Sequence, residues 1–373
     1  MEVAQKENVL FITDKGYVDY KLPGGVQICT EEFIRYLNNA GFNIIIIKVS
    51  PDITLLKRIK LKLGIETYEL YDSKIYISEI VNAIVKNQVK FVLFNQLNIA
   101  HWATLIRAKI SIPLKCIGLS HGNESGDYLY EITKQDKVPT LIETWRIGKL
   151  IAKEKILFST TLDAVVTISE HESYIDQWLG ADKILFLPRI LEPKFIKWEP
   201  EKNVIGFVGT LDHYPNYQGI ELLANQLHVK AFNGILKLIG GPKSVGEKLA
   251  RKYSFISYLG HLSNEELFHE VAKWSIFVNP IFWYARGSST KASQIINWGI
   301  PILSTKAGIR GYHLSNTNFL TKQNKPEHLA ALVIKKLGST SELNTLKKIS
   351  EGNASTFEIT KWSAELKAFL EEL

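Results

Sequence analysis

Short runs of β-branched and other apolar residues alternate along the chain with segments in which apolar residues recur every three or four positions. The first run, Val9–Thr13, is almost entirely apolar, which is typical of a strand buried on both faces. After Gly24-Gly25, a face with helical spacing runs from Val26 to Ala40. Gly41 ends that face, and Ile44–Val49 is the next apolar run. This order predicts an α/β protein whose parallel sheets are covered by helices on both faces.

The alternation continues in two series. Further strands are predicted at 91–94, 114–119, 164–169 and 184–187, and then at 204–208, 235–239, 256–259, 276–279 and 302–304. The segment from Leu187 to Glu201 holds three prolines and has no clear period, which predicts a connection between domains. The predicted boundaries are 1–190 for an N-terminal Rossmann-like domain, 191–201 for a linker, 202–355 for a C-terminal Rossmann-like domain and 356–373 for an amphipathic terminal helix.

Composition narrows the class of protein. Hydrophobic residues make up 46% and charged residues 22% of 373 positions, which excludes wholesale disorder. A net charge of +7 is too small for a dedicated nucleic-acid binder, but it fits a polyanionic ligand or an anionic membrane surface. Two cysteines exclude a disulfide framework, and the apolar patterns around Cys29 and Cys116 predict buried thiols. No stretch approaches the roughly 20 apolar residues that span a bilayer, and the first residues are polar, so a cytoplasmic protein is expected.

The candidate chemistry lies where strands run into glycines. Gly24-Gly25 opens a helix and Gly209 closes a strand, and such glycines either let a backbone approach phosphate or simply mark turns. The strongest segment runs from 279 to 311. Its loop 286–290 reads Arg-Gly-Ser-Ser-Thr, and Lys291 follows in the first turn of a helix that runs to Trp298. A cation and small hydroxyls at a helix N-terminus predict a diphosphate cradle, and a solvated loop with an incidental lysine is the alternative.

Taken together, these pieces resemble the GT-B glycosyltransferases, specifically the retaining group called glycosyltransferase family four. The resemblance runs nearly end to end. Its motifs are the glycine loop Leu22-Pro23-Gly24-Gly25-Val26, the strand and serine at 163–170, the strand and turn at 204–216, and Gly287, Lys291 and Gly299-Ile300-Pro301 in that spacing. It implies two Rossmann-like domains facing a central cleft, with the terminal helix crossing back to the first domain. It also implies transfer of a sugar from a nucleotide sugar with retention, without a metal ion or another cofactor.

The resemblance also assigns roles by position. Lys291 and Arg286 would neutralise the diphosphate, and the N–H groups of Ser289 and Thr290 would help. His121 would face the sugar as the catalytic-site histidine. The remaining donor-binding positions that it implies are Gly24, Gly25, Thr210, His261, Leu262, Gly287, Ser288 and Gln294. The expected partners are a nucleotide-sugar donor and a glycan or lipid-linked acceptor in polysaccharide or glycoconjugate biosynthesis, and no nucleic acid.

Three positions depart from the family pattern. The family often carries two glutamates with seven residues between them, and this chain has Arg286 and Gln294 there. An amide accepts a hydroxyl hydrogen bond more weakly than a carboxylate does. Thr210 stands where the family usually has an arginine. These departures leave open a catalytically silent GT-B protein that binds a sugar nucleotide or supports a partner enzyme, and also a sugar-nucleotide epimerase.

A different class of enzyme matches one short motif. Residues 118–122 read Gly-Leu-Ser-His-Gly, which fits the nucleophile elbow of α/β hydrolases with Ser120 as the nucleophile. The elbow must lead directly into a helix, whereas the polar residues 123–127 predict a turn. A single-sheet hydrolase also leaves the second α/β series unexplained.

One segment suggests contact with a membrane. In residues 53–63, leucines and isoleucines at helical spacing alternate with the basic side chains of Lys57, Arg58, Lys60 and Lys62. This composition is typical of a short interfacial helix on anionic lipid, on the cytoplasmic face of the membrane here. The alternative is an ordinary amphipathic helix that packs on the sheet with a solvated basic face. The tryptophans, including Trp102 and Trp145, are expected to pack in the core or the cleft, and Trp283 is the exception with a possible role in sugar contact.

Overall fold

The computed structural model describes residues 6–21, 24–52, 54–62, 70–133, 137–283 and 286–373, without the side chains of Leu61 and Lys62. By its internal contacts the chain divides into two units, which are described separately below. Unit 1 comprises Met1–Arg189, Arg286–Ser288 and Glu358–Leu373, and unit 2 comprises Ile190–Ala285 and Ser289–Phe357. Unit 2 is therefore inserted into unit 1 along the chain.

Unit 1 contains a six-stranded parallel sheet. Its strands are β1 (Asn8–Asp14), β2 (Asn43–Val49), β3 (Phe91–Phe94), β4 (Lys115–Leu119), β5 (Ala164–Thr167) and β6 (Ile184–Phe186). Their order across the sheet is β2-β1-β3-β4-β5-β6. Its helices are α1 (Gly25–Asn39), α2 (Leu55–Lys62), α3 (Ser73–Lys86), α4 (Leu97–Ala100), α5 (Trp102–Arg107), α6 (Glu124–Thr133), α7 (Leu141–Ile156) and α8 (Glu170–Trp178). The order of the strands reverses between β1 and β3, which is where open α/β sheets bind ligands.

Unit 2 contains a five-stranded parallel sheet. Its strands are β7 (Val204–Val208), β8 (Ile235–Ile239), β9 (Ile256–Gly260), β10 (Ile276–Asn279) and β11 (Ile302–Ser304), in the order β11-β10-β7-β8-β9. Its helices are α9 (Tyr214–Val229), α10 (Lys243–Lys252), α11 (Asn264–Val271), α12 (Thr290–Trp298), α13 (Pro326–Leu337) and α14 (Thr340–Ser355). Here the order reverses between β7 and β10, so this gap is the ligand-binding position that the topology favours.

Each unit has its own apolar core, formed by its strands and the helices that cover them. The runs that were predicted as strands are strands in the structure. The apolar residues of central strands such as β1, β3 and β10 are buried because both faces of a parallel sheet are covered, whereas Ile46 of the edge strand β2 is 38% exposed. Cys29 and Cys116 are buried, as expected, and burial raises the pKa of both thiols to about 12. A last helix, α15 (Ile359–Glu371), packs on α1 of unit 1. The predicted fold class, with its terminal helix returning to the first domain, is confirmed.

Residues 191–201, predicted as a linker, contain no helix or strand and hydrogen-bond to unit 2. The N–H groups of Lys194 and Ile196 donate to the carbonyls of Asn297 and Trp298 at 2.7 and 3.1 Å. Within the described ranges, no helix combines the length and the apolar character that crossing a bilayer requires.

The predicted turn at 123–127 is wrong, because α6 begins at Glu124. The side-chain oxygen of Asn123 accepts the N–H of Gly126 at 2.7 Å, as a helix N-cap does, and Glu124 and Asp127 lie in the first turn, where acidic groups favour a helix. The helix alone does not make Ser120 a nucleophile. Ser120 is fully buried, and its hydroxyl oxygen accepts the N–H of Gly122 at 3.2 Å. Ser120 is also not among the described residues that have a positive φ.

Candidate functional site

In unit 2, the predicted cradle lies at the carboxyl edge of the sheet. All five strands are parallel, so the residues that follow β7, β8 and β10 lie at one edge. Helix α12 begins at this edge after its N-cap residue, Ser289, and ends at Gly299 with a φ of +69°. Lys291 occupies the first turn, as the sequence predicts.

The side chain of Lys291 is half-buried, and its ammonium group lies beside Gly209 and Asn216. Its Nζ donates to Oδ1 of Asn216 at 2.6 Å and lies 5.1 Å from the centre of the Phe207 ring. The Nδ2 of Asn216 in turn donates to the carbonyl of Thr210 at 2.7 Å, which fixes the amide so that its oxygen faces the lysine. A Cβ at Gly209 would lie 3.0 Å from Cε of Lys291, so a glycine here leaves room for the lysine chain.

Burial lowers the pKa of Lys291 to about 7, and the nearby guanidinium of Arg310 lowers it further in the same direction. No carboxylate of the described residues forms an ion pair with Lys291, whose hydrogen-bond partner is a neutral amide. Two cations at the end of a sheet, next to a helix N-terminus, create a local field that favours an anion.

The backbone around the start of α12 is held by residues that follow β11. The N–H of Ser289 donates to the carbonyl of Arg310 at 3.2 Å, and Tyr312 donates its hydroxyl hydrogen to the carbonyl of Ser289. The hydroxyl oxygen of Tyr312 accepts the N–H of Ser293 at 2.9 Å. Ser289 makes no side-chain cap, so the first N–H groups of the helix, including that of Thr290, have no capping side chain.

The other predicted positions of unit 2 lie at the same edge but are more exposed. Thr210 and Gln294 are exposed, and Leu262 is half-buried. His261 is exposed just after β9, with its ring against Gly241. A groove of about 850 Å³ lies beside this turn, and it is lined by Lys243, Glu247, Ala250, Arg251, Tyr258, Leu259, Gly260 and His261.

In unit 1, the predicted glycine loop is the N-terminus of α1. Gly24 is the N-cap residue, and both Gly24 and Gly25 are exposed. The N–H of Gly24 donates to the side-chain oxygen of Gln27 at 3.1 Å. The loop residues Leu22 and Pro23 lie outside the described residues.

His121 follows β4 and is buried in a network of neutral polar groups. The side chain of Asn95, just after β3, donates through Nδ2 to the hydroxyls of Thr13 and Thr30, both at 2.8 Å. Its Oδ1 therefore faces Nε2 of His121, at 2.8 Å. Because an amide oxygen only accepts, Nε2 carries the hydrogen, and Nδ1 is left as an acceptor.

The same environment keeps the imidazole neutral. Burial is the main cause, and the guanidinium groups of Arg286 and Arg189 add to it, so that the pKa of His121 is lowered to about 3. The rings of Tyr17 and Phe33 lie 5.9 and 5.7 Å from the His121 ring. At neutral pH this side chain can accept a hydrogen bond through Nδ1, but it cannot act as a cation.

The structure separates the predicted loop residues into two groups. Arg286, Gly287 and Ser288 belong to unit 1, whereas Ser289, Thr290 and Lys291 belong to unit 2. Arg286 forms an ion pair with Glu124, and Gly287 lies against the backbone of His121. Within unit 1, therefore, Arg286 and Gly287 are brought together with His121.

Sequence reasoning missed the residues that hold these groups in place. Asn95 and Asn216 orient His121 and Lys291, and Arg310 acts on the charge of Lys291. Asn95 could have been predicted as a site residue, because it directly follows a buried strand of a parallel sheet, at the edge where ligands bind. Asn216 and Arg310 could not, because no local pattern indicates that either residue lies beside Lys291.

The predicted interfacial helix is short and exposes its apolar side chains. Leu55, Leu56 and Ile59 of α2 are 75%, 66% and 47% exposed. Lys57 pairs with Asp52 at 3.2 Å, Arg58 is exposed, and Lys60 is half-buried. Residues 53 and 63 and the side chain of Lys62 lie outside the described residues.

The sequence matches no family profile and no curated protein. Solved structures are similar over nearly the whole chain. Sucrose-phosphate synthase from Thermosynechococcus elongatus is 15% identical, with 98% of this chain and 99% of that chain covered and a TM-score of 0.68. The Anabaena protein HepE, solved with UDP and glucose, is 13% identical over 98% and 99% of the two chains, with a TM-score of 0.62. The lipopolysaccharide outer core galactosyltransferase WaaB is 12% identical over 98% and 100%, with a TM-score of 0.64. The chain therefore has the GT-B glycosyltransferase fold that its sequence motifs predict.

Proposed function

We propose that this protein transfers a sugar from a nucleotide sugar to a glycan or a lipid-linked acceptor. The observation that carries the proposal is Lys291, a half-buried amine at the start of α12 and at the reversal of strand order in unit 2. Its hydrogen-bond partner is a neutral amide, and a diphosphate would supply a negative charge beside it. It would also accept hydrogen bonds from the first N–H groups of the helix.

The likeness to HepE, whose structure holds UDP and glucose, makes UDP-sugars the first donors to test. The turn at His261 and Leu262 would lie along the nucleobase, and the groove beside it offers space for a planar ring. Gln294, exposed one turn beyond Lys291, would accept a ribose hydroxyl in place of the glutamate that the family often has.

His121 would contact the transferred sugar. Its neutral ring presents Nδ1 as an acceptor, which suits a sugar hydroxyl and does not suit a phosphate. Its position is fixed before a ligand binds, because Asn95 and two threonines hold it. As in the family that the chain resembles, we expect transfer with retention and without a metal ion.

The test is a panel of UDP-, GDP- and dTDP-sugars assayed first for thermal stabilisation of the protein and then for turnover with and without candidate acceptors. Stabilisation by one nucleotide class and acceptor-dependent release of the nucleoside diphosphate are expected. Turnover that is abolished by chelator and restored by Mg²⁺ would contradict metal independence, and an inverted anomeric configuration in the product would contradict retention.

One observation favours a second candidate function, the binding of a sugar nucleotide without turnover. Arg286, which stands at the position of a family glutamate, is paired with Glu124, so neither motif glutamate is present at positions 286 and 294. A protein that binds a sugar nucleotide without turnover would fit this loss. Stabilisation by a nucleotide sugar without release of the nucleoside diphosphate in the presence of any acceptor would support that reading.

We further propose that α2 contacts an anionic membrane surface. Leu55, Leu56 and Ile59 are exposed next to Lys57, Arg58 and Lys60, so these three apolar side chains are not covered by the described residues of unit 1. Each basic residue near an anionic surface contributes about 1 kcal/mol. We expect co-sedimentation with anionic vesicles at low salt but not with neutral ones, and loss of binding when Lys57, Arg58, Lys60 and Lys62 are changed to glutamate. Equal sedimentation of both proteins would contradict the proposal.

A further inference from the structure

Residues 286–288 fold with unit 1, although the residues before and after them belong to unit 2. Each of the three has its own partner. The guanidinium of Arg286 pairs with the carboxylate of Glu124, and the N–H of Gly287 donates to Oε1 of Glu172 at 2.9 Å. The NH1 group of Arg189 donates to the hydroxyl of Ser288 at 2.9 Å. We call these residues the anchored segment.

Glu172 is the most deeply placed of these partners. It is fully buried in the first turn of α8, and its Oε1 accepts the N–H groups of both Asn123 and Gly287, at 3.0 and 2.9 Å. A buried carboxylate is tolerated when such charge-assisted bonds compensate for its lost hydration. Burial, together with the charge of Glu172, raises the pKa of neighbouring Asp176 to about 8. Asp176 is therefore mostly protonated at neutral pH, so it adds little negative charge beside Glu172.

The contact between the anchored segment and residues 121–122 also requires a close approach of the two backbones. Gly287 has a φ of +65°, and a Cβ there would lie 2.7 Å from the carbonyl oxygen of His121. A Cβ at Gly122 would lie 2.2 Å from Cγ of Arg286 and 2.6 Å from the nitrogen of Gly287. Two glycines thus let the anchored segment lie directly on the backbone that carries His121.

The third contact extends to α1. Arg189 is 1% exposed, and its guanidinium forms an ion pair with Glu32, in which NH2 donates to Oε1 at 3.0 Å and Nε lies 2.6 Å from Oε2. Ser288 is therefore joined through Arg189 to the helix that begins at Gly24-Gly25. Hydrogen bonds between charged partners are stronger than those between neutral ones.

We propose that Glu172 and Glu124 are positioning residues, which hold the anchored segment against the backbone of His121 so that the imidazole is correctly placed for the transferred sugar. In this arrangement Arg286 serves as an anchor on Glu124 and not as a ligand of the diphosphate. The proposal rests on the proposed function, because only a sugar that contacts His121 makes the position of this segment matter for turnover. Lys291 itself stays within unit 2, so nucleotide binding depends little on the anchors.

The first experiment compares Glu172→Ala with Glu172→Gln. We expect the alanine variant to lose at least tenfold in kcat, while its affinity for UDP stays within threefold of the wild type. Glutamine keeps one acceptor oxygen for the two N–H groups and should recover most of kcat. A role confined to stability would lower the melting temperature and leave kcat of the folded protein unchanged, and that result would overturn the proposal.

The second experiment exchanges the charges of Arg286 and Glu124, a partly exposed ion pair at which substitutions should be tolerated. Arg286→Glu and Glu124→Arg should each lower kcat at least tenfold, and the double variant should return to within threefold of the wild type. If Arg286 is a diphosphate ligand instead, the double variant stays inactive and binds UDP weakly, which would overturn the proposal. The exchange of Lys252 and Glu221, an ion pair of 2.6 Å in unit 2, is the matched control and should change nothing.

Hydrogen exchange separates this proposal from the proposed function. The amide of Gly287 should be protected in the wild type and exchange at least tenfold faster in Glu172→Ala. If the wild type turns over no nucleotide sugar but the exchange responds in this way, the proposed function fails and the anchoring stands. Unchanged exchange at Gly287 would overturn the anchoring whatever the activity.

Discussion

The two sheets differ in how they treat the polar side chains at their carboxyl edges. In unit 1, Asn95 donates to the hydroxyls of Thr13 and Thr30, and His121 completes the network as a neutral ring. In unit 2, the polar centre is Lys291, a half-buried amine that donates to a neutral amide and has a lowered pKa. The hydrogen bonds of the first edge are satisfied among neutral groups, whereas the charge of Lys291 has no carboxylate partner among the described residues.

In the sugar transfer proposed above, this difference separates two tasks. A compensated network costs little to bury and fixes the direction of one acceptor atom before any ligand arrives. An uncompensated cation costs free energy until an anion binds, so its cost is recovered as affinity for that anion. On this view unit 1 contributes orientation, and unit 2 contributes affinity for charge.

The largest expected effect comes from removing the charge of unit 2. Lys291→Ala should lower kcat/KM by roughly 30- to 1,000-fold, since losing one preorganised stabilising group costs on the order of 2–4 kcal/mol. Steady-state kinetics with the donor that the nucleotide-sugar panel selects would measure this loss. Lys230→Ala is the control, because Lys230 is exposed at the far end of α9. A near-normal rate in Lys291→Ala would end the assignment of this lysine to the diphosphate.

Breaking the network of unit 1 should act on stability. Asn95→Ala leaves two threonine hydroxyls and the Nε2–H of His121 without their partner, and we expect a loss of about 2 kcal/mol in the free energy of unfolding. Denaturant unfolding monitored by tryptophan fluorescence measures it. The exposed Asn38→Ala should change stability by less than about 0.5 kcal/mol. Equal stability of the two variants would mean that the network is not compensated as described.

The smallest expected effect is the change of nucleotide affinity with pH. Lys291 has a pKa of about 7 in the free protein, and a bound diphosphate should raise it. Below pH 7 the amine is already protonated, so affinity should not vary with pH through this group. Above pH 7 binding must take up a proton, and affinity should fall by up to about tenfold per pH unit. Calorimetry of UDP binding at pH 7 in two buffers of different ionisation enthalpy should find about half a proton taken up. No uptake would show that the lysine is not at the anion.

Much of the fold could be predicted from the pattern of apolar residues. Strands such as Phe91–Phe94 and Val204–Val208 have the predicted bounds, because apolar runs in a parallel sheet are buried on both faces. The placement of Lys291 in the first turn of a helix also followed from sequence. Residues 123–127 were misread as a turn because they are polar, although an asparagine followed by acidic residues is typical of a helix N-terminus.

The rest of the candidate site depends on contacts that no local pattern encodes. Glu124 and Glu172 meet the anchored segment from more than a hundred residues away. Trp145 was expected in the core or the cleft, but it is 51% exposed, with the ammonium of Lys149 lying 4.6 Å from its ring centre. Burial was therefore predicted correctly for apolar residues that belong to a periodic pattern. The prediction failed for a lone aromatic residue among basic residues.

The packing of α15 on α1 has a consequence for the order in which the protein can be made. The ribosome synthesises all six strands of unit 1 early, yet α15 and the anchored segment are translated only after most of the inserted unit has emerged. Unit 2 can then fold independently, while the face of α1 that packs on α15 is still uncovered. The part of the molecule that is begun first is therefore the part that is completed last, and during that interval its apolar surface is the one that a chaperone would have to protect.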